Sequence, residues 1–237
     1  MKRISSGIRY KSTLGIVALC VVILLAQPVA LLAQVAYPAN STPFGMTYGD
    51  WMAAYLQYIF SIPANINPLN DTTGADCKVA QSSSPVFFLN STPTGSVTRT
   101  CTIPSKPLLI AVAWAECSNV EAPPSYGANP QGMRTCAARA VNGVGVKTLK
   151  LTVDGEDMSG LLRSLRVQTP YYDFTMPAKD NILGLYGVTS GSSVGDGYLL
   201  MLEALSSGSH VIFFEGEFVS GPYAPDLFSV TYNLTVK

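Results

Sequence analysis

The run PLLIAVAWA, residues 107–115, is apolar at every position after its proline and shows no alternation. A short apolar run without helical or two-residue periodicity reads as a strand covered on both faces, so it predicts the centre of a sheet inside a layered core. Four cysteines flank it, Cys77 and Cys101 before and Cys117 and Cys136 after. Zinc sites use close Cys-x2-4-Cys pairs and none is present, so the four read as two disulfides. Three pairings are open. Cys77 with Cys101 and Cys117 with Cys136 is the expected one, because each closes a single loop between neighbouring strand-like runs without threading the chain. Each bridge is expected to contribute roughly 3 kcal/mol, mainly by restricting the unfolded chain. Residues 121–131 (EAPPSYGANPQ) read as a long loop pinned by the second bridge.

Strand signals extend outward in both directions. Residues 86–89 form a short apolar strand, and in VTRTCTI Val97, Arg99, Cys101 and Ile103 share one face while threonines occupy the other. Arg99 on an apolar face predicts a strand end or an ion pair, with Glu116 as the candidate partner. Downstream, Leu149, Leu151 and Val153 point one way before an Asp154-Gly155 turn, and Tyr172, Phe174 and Met176 alternate with polar neighbours. GYLLMLEAL leads through a Ser-Ser-Gly turn into SHVIFFEGEF. In the last strand Phe228, Val230, Tyr232, Leu234 and Val236 share one face against Ser229, Thr231, Asn233 and Thr235. The pattern predicts a mainly β chain, an antiparallel β-sandwich of jelly-roll or Ig-like type.

One helix is expected, over about residues 47–61. Thr47 and Asp50 stand at capping spacing, an apolar run follows, and Pro63 stops it. Asp50, Ala54, Gln57 and Ser61 make a narrow stripe, while Trp51, Tyr55 and Tyr58 lie elsewhere on an otherwise apolar surface. Such a helix plugs one end of the sandwich. The alternative is an aromatic platform for a sugar ring, with Trp51, Tyr55, Tyr58 and Trp114 as the ligand-binding candidates.

The chain opens with Lys2, Arg3, Arg9 and Lys11 and then runs apolar from Leu14 to Ala33. That pattern predicts a signal peptide over residues 1–33, followed by a single domain over 34–237. An uncleaved membrane anchor is the alternative, since the run approaches spanning length. Cleavage removes four of the 15 basic residues and none of the 15 acidic ones, leaving an acidic chain with no basic surface for nucleic acid.

The candidate chemistry is sparse. His210 is the only histidine, which excludes His-rich metal sites, and its place at a strand start predicts that it pins a turn. Gly191–Gly195 (GSSVG) matches G-x-S-x-G with Asp196 and His210 following, but the flanks are loop and strand where a hydrolase needs strand and helix. Glu203, Glu215 and Glu217 could supply paired carboxylates, though solvated surface charge explains them too. Calcium is conceivable at Asp71 and Asp76, in a loop that lacks the EF-hand spacing.

The runs TYGDWMAAYLQYIFSIP, NPLNDTTGADC, SPVFFLN, RTCTIPSKPLLIAVAWAECS, DGYLLMLEALSSGSHVIFFEG and FSVTYNLTV, in this order, resemble a set of uncharacterised, signal-peptide-bearing secreted bacterial proteins. The resemblance implies export to the periplasm or medium of a bacterium and brings no activity with it. The expected function is non-catalytic surface binding or a structural role, with a glycan or cell-surface partner. The alternatives are a glycan-active protein using an aromatic and a Glu, and a self-associating surface or filament subunit.

Overall fold

The computed structural model describes residues 35–237, which form one compact unit, and the expected signal segment lies outside them. Thr47 and Asp50 form a reciprocal capping box, the Asp50 amide donating to the threonine hydroxyl and the Thr47 amide to the carboxylate. Helix α1 (Tyr48–Ser61) follows and ends at Ile62 before Pro63. Its exposed side is the narrow stripe at Gln57 and Ser61, Gly49, Asp50 and Ala54 are half-buried, and the rest is core.

The chain then alternates between two sheets. Strand β1 (Phe87–Leu89) lies in the first, β2 (Gly95–Ile103) in the second and β3 (Leu108–Ser118) in the first again. Helix α2 (Pro130–Val141), β4 (Lys150–Val153), β5 (Glu156–Asp157), α3 (Ser159–Ser164), β6 (Arg166–Gln168) and β7 (Tyr172–Thr175) follow, and the chain ends in three long strands, β8 (Ser190–Leu202), β9 (Gly208–Phe218) and β10 (Asp226–Val236). The first sheet runs β1-β3-β8-β6 with β7 also on β8; the second runs β2-β10-β9-β4-β5. One core cluster spans both sheets and α1.

The fold is mainly β in two sheets with the expected N-terminal helix and two bridges, Cys77–Cys101 and Cys117–Cys136, with Cα separations of 6.4 and 6.0 Å. Most pairings are antiparallel. Two are parallel, β1 with β3 and β2 with β10. The first follows from the alternation: β1 and β3 are joined through a strand of the other sheet, and a crossover returns the chain in the same direction. Residues 130–141 are helical where the loop reading extended to Gln131. Asn129 caps α2 by accepting the Gly132 amide at 2.9 Å, and Pro130 occupies its first turn.

Strand β3 is buried on both faces as its sequence predicts, with Trp114 the one half-buried position. Strand β2 is an edge, and the loop before it covers part of that edge: the Thr100 amide donates to the Thr73 carbonyl at 2.8 Å, and Cys77 is bonded to Cys101 beside it.

Arg99 corrects the ion-pair expectation. It is 1% exposed and, among the described residues, forms no ion pair with Glu116; its guanidinium donates to the carbonyls of Asp71, Asn90, Ser91 and Leu69 and to the Tyr232 hydroxyl. Four carbonyl dipoles and a phenol take the place of a carboxylate. Replacing Arg99 with Met takes the donor from the buried Leu69, Asp71 and Ser91 carbonyls, while Asn90 and Tyr232 keep each other, so the variant is expected to lose about 3–5 kcal/mol. Urea unfolding of wild type and Arg99→Met measures this through the midpoint. A loss below about 1 kcal/mol, the range of ordinary surface changes, would show the cluster to be dispensable.

Candidate functional site

Between β3 and the ends of β9 and β10 lies a cavity of about 540 Å³. Val112, Trp114 and Glu116 form its wall on β3, Phe218 and Phe228 face it from the second sheet, and Ile59 and Phe60 of α1 close another side. Exposed Asn70, Pro93 and Thr94 mark its mouth. Trp114 has room because Gly197 stands opposite it on β8; a Cβ there would lie 2.5 Å from the Trp114 Cβ.

The register explains how the acidic end is assembled. Ser118 pairs with Ser193, Ser193 with Tyr172, and Glu116 with Gly195, so all these residues project from one face of the first sheet. Glu116 is 6% exposed. The Ser193 hydroxyl has one proton and lies against two oxygens, the Cys117 carbonyl at 2.9 Å and the Glu116 carboxyl. A carbonyl can only accept, so both contacts are satisfied when Glu116 is protonated and donates to Ser193. Burial points the same way, pushing the Glu116 carboxyl well above its usual range, with Glu121 reinforcing the shift. Glu121 folds back from the loop after β3 and accepts from the Ser118 hydroxyl at 2.8 Å. Tyr172 is buried beside this pair with its hydroxyl unpartnered, and burial followed by the nearby Glu116 raises it well above an ordinary phenol. Tyr223, at the rim, bonds Ser125 at 2.9 Å and is also raised, chiefly by burial.

The ionisable side chains of Asp, Glu, Lys, Arg or His type lining the cavity are Glu116, Glu121 and Asp226, all carboxyl groups. Among the described residues the ion pairs are Lys150–Glu215, Arg166–Asp196 and His210–Asp154, and none involves these three. A second cleft, of about 620 Å³, runs beside Gln57, Asp173 and Ser192. Its polar groups satisfy one another: Ser192 donates to Asp173 at 2.6 Å, and Gln57 to the Asp173 carbonyl at 2.8 Å.

The sequence-derived candidates fall mostly outside the cavity. Trp51, Tyr55 and Tyr58 are 3%, 0% and 9% exposed, so α1 presents no platform to solvent. Trp51 donates to the Pro43 carbonyl, and Tyr55 packs edge-on against both Phe88 and Trp114. Of the four aromatic candidates, Trp114 alone reaches the cavity. The Asp71 carboxylate accepts the amides of Thr73, Gly74 and Asp76, which commits both its oxygens to the loop. Burial works against that charge, but these amides outweigh it and hold the carboxyl below its usual range. Among the described residues no group of three or more His, Cys, Asp or Glu is arranged around a common metal position. His210 bonds Asp154 at 2.7 Å and the Ser206 carbonyl at 2.9 Å, pinning the turn as expected. Ser193 lies inside β8 rather than on an elbow, and Asp196 is paired with Arg166, so the three triad candidates are engaged in separate places. Glu215 is paired with Lys150 on the second sheet.

Glu116, Glu121, Tyr172, Tyr223 and Asp226 are the residues that sequence reasoning missed. The available signal was Glu116 itself, a carboxylate directly continuing an apolar run read as covered on both faces. Because Glu116 titrates higher in the folded than in the unfolded chain, its contribution to stability is full below the ordinary carboxyl range and is lost as pH rises through the raised value. Gln at this position keeps a donor for Ser193 without titrating. The stability of Glu116→Gln relative to wild type is therefore expected to grow from about pH 4 upward, read from thermal midpoints of both proteins. Parallel pH profiles would contradict a neutral buried Glu116.

No family model matches this chain and no curated protein does. Solved structures that align with it include two at low similarity. A cysteine protease inhibitor from Entamoeba histolytica aligns over 64% of this chain and 96% of its own, at 12% identity and a TM-score of 0.24. The solution structure of Amebosin aligns over 59% and 96%, at 15% identity and a TM-score of 0.16.

Proposed function

We propose that this chain is an exported, non-catalytic binding protein that takes a small molecule into the cavity between its two sheets. The observation that carries the reading is the cavity wall itself, where Trp114 stands beside a buried carboxyl, Glu116, that has no basic partner. A carboxyl held there costs stability, and groups of this kind concentrate at sites that use them. Export to the periplasm or medium of a bacterium is supported by the basic and then apolar N-terminus, by two disulfides suited to an oxidising compartment, and by the resemblance to exported bacterial proteins. Among the described residues no helix is long and apolar enough to cross a membrane. The commitment of Ser193, Asp196 and His210 to separate contacts supports binding over hydrolysis. A second reading, a glycan ligand, is favoured by Trp114 beside Glu116, an aromatic face next to a hydrogen-bonding acid.

A thermal-shift screen of a broad small-molecule panel tests the proposal, run on wild type and on Thr94→Trp, which places a bulky ring at the mouth. A ligand at a hundred times its dissociation constant is expected to stabilise wild type by about 2.7 kcal/mol and the variant by much less. A panel without any stabilising member, or one whose members stabilise both proteins equally, would remove the cavity from consideration.

A further inference from the structure

We infer that the ligand of this cavity carries a positive charge on an apolar body, an organic ammonium held by Glu121 and Asp226 against the rings of Trp114 and Tyr223. The inference rests on the reading of the cavity as a binding site and adds the chemical class of its occupant.

Charge complementarity comes first. Three carboxyl groups line the cavity and no Lys, Arg or His does. Glu121 and Asp226 are half-buried, and their charges are unmatched by any ion pair among the described residues. Partial burial strengthens the attraction for a cation relative to open water, and the same field repels an anionic ligand. Arg99 lies behind the wall at Leu69 and Ser91, with its donors taken by four carbonyls and Tyr232, so it pairs with none of the three carboxyl groups.

The wall chemistry is the second, independent observation. Trp114, Phe218, Tyr223 and Phe228 supply aromatic rings to the same space, and Phe218 packs edge-on against Tyr223 at 5.5 Å. Aromatic faces attract ammonium groups through the ring quadrupole, most strongly where water is excluded. The acidic end therefore has an aromatic surface for a methylated or primary ammonium and carboxylates for its charge. The apolar part of the lining, with Ile59, Val112 and Leu183, suits an apolar body, while Asn70, Ser91, Thr92 and Thr94 add polar groups.

The test uses the whole exported domain and three probes: choline, benzyltrimethylammonium, and 3,3-dimethyl-1-butanol, which has the shape of choline without the charge. Calorimetry gives the affinity. Tryptophan fluorescence gives the location, because of the two tryptophans only Trp114 lines the cavity. Both cations are expected to bind and to change the emission, with the neutral isostere roughly tenfold weaker or worse. Glu121→Gln and Asp226→Asn are each expected to weaken choline severalfold, and if one of them fails to fold the other reads the same charge. Equal affinity for choline and its neutral isostere would overturn the cation inference, as would a response to neutral disaccharides alone or silence from both cations at millimolar concentration. Those results leave the cavity reading standing, since that reading is judged separately by the block at Thr94.

Discussion

A guanidinium can stay buried without a carboxylate only where several carbonyl oxygens are already held around it, and Arg99 sets that condition for the second half of this fold. Its acceptors come from three places: Leu69 and Asp71 in the loop after α1, Asn90 and Ser91 after β1, and Tyr232 in β10. None of these segments is regular structure at the point of contact except β10, so their carbonyls need other anchors. Asp71 supplies one, its carboxylate accepting three amides of its own loop while its carbonyl turns to Arg99. Tyr232 supplies another, exchanging hydrogen bonds with the Asn90 backbone. Arg99 thus links an edge strand, two loops and the terminal strand, and the Leu69 and Ser91 that it fixes are part of the cavity wall.

The cavity exists because the two sheets are not closed in the same way along their length. Helix α1 packs onto the first sheet where Gly195 leaves room for Leu56, and its aromatic side chains fill the space as far as Trp114. Past Trp114 the residues meeting from the two sheets are Glu116, Phe218 and Phe228, which leave a gap. On the other face of the first sheet α2 is held against β3 by the Cys117–Cys136 bridge and a small cluster with Met133, Ala137 and Val194. The sheet carrying Glu116 is therefore braced from behind, which limits the motion of the acidic wall.

Much of this architecture is legible in the sequence wherever one periodicity dominates. The alternation of residues 228–236, the unbroken run at 107–115 and the capping pair Thr47 and Asp50 each dictate a local structure that tertiary contacts reinforce. Both disulfides follow the rule of closing short loops. Helix α2 was hidden because its buried face is made of Met133, Ala137 and Ala140 on an otherwise polar segment, a weak signal after a proline-rich loop. The parallel pairings were hidden because direction depends on which sheet each strand joins, and alternation within a strand carries no such information. The candidate site was the least legible. Trp51, Tyr55 and Tyr58 have the composition of a ligand platform, but the helix that carries them is buried on most of its circumference. Glu121, Tyr223 and Asp226 sit in or beside loops whose positions are set by long-range packing, and nothing local brings them together.

Arg99 and Glu116 show two solutions to the same electrostatic problem. Both are ionisable, both are almost fully buried, and neither faces an opposite charge. A guanidinium presents five donors and no acceptor, so Arg99 is buried only because acceptors are brought to it, and most of these are backbone carbonyls that are thereby fixed. Glu116 can give up its charge by taking a proton, and Ser193, whose own proton is directed to the Cys117 carbonyl, is placed to receive the resulting donor. The first arrangement is complete in itself and reads as structural. The second leaves Glu121 nearby, half-buried and in no ion pair among the described residues, and open space in front, an incomplete set of interactions of the kind that a bound ligand completes.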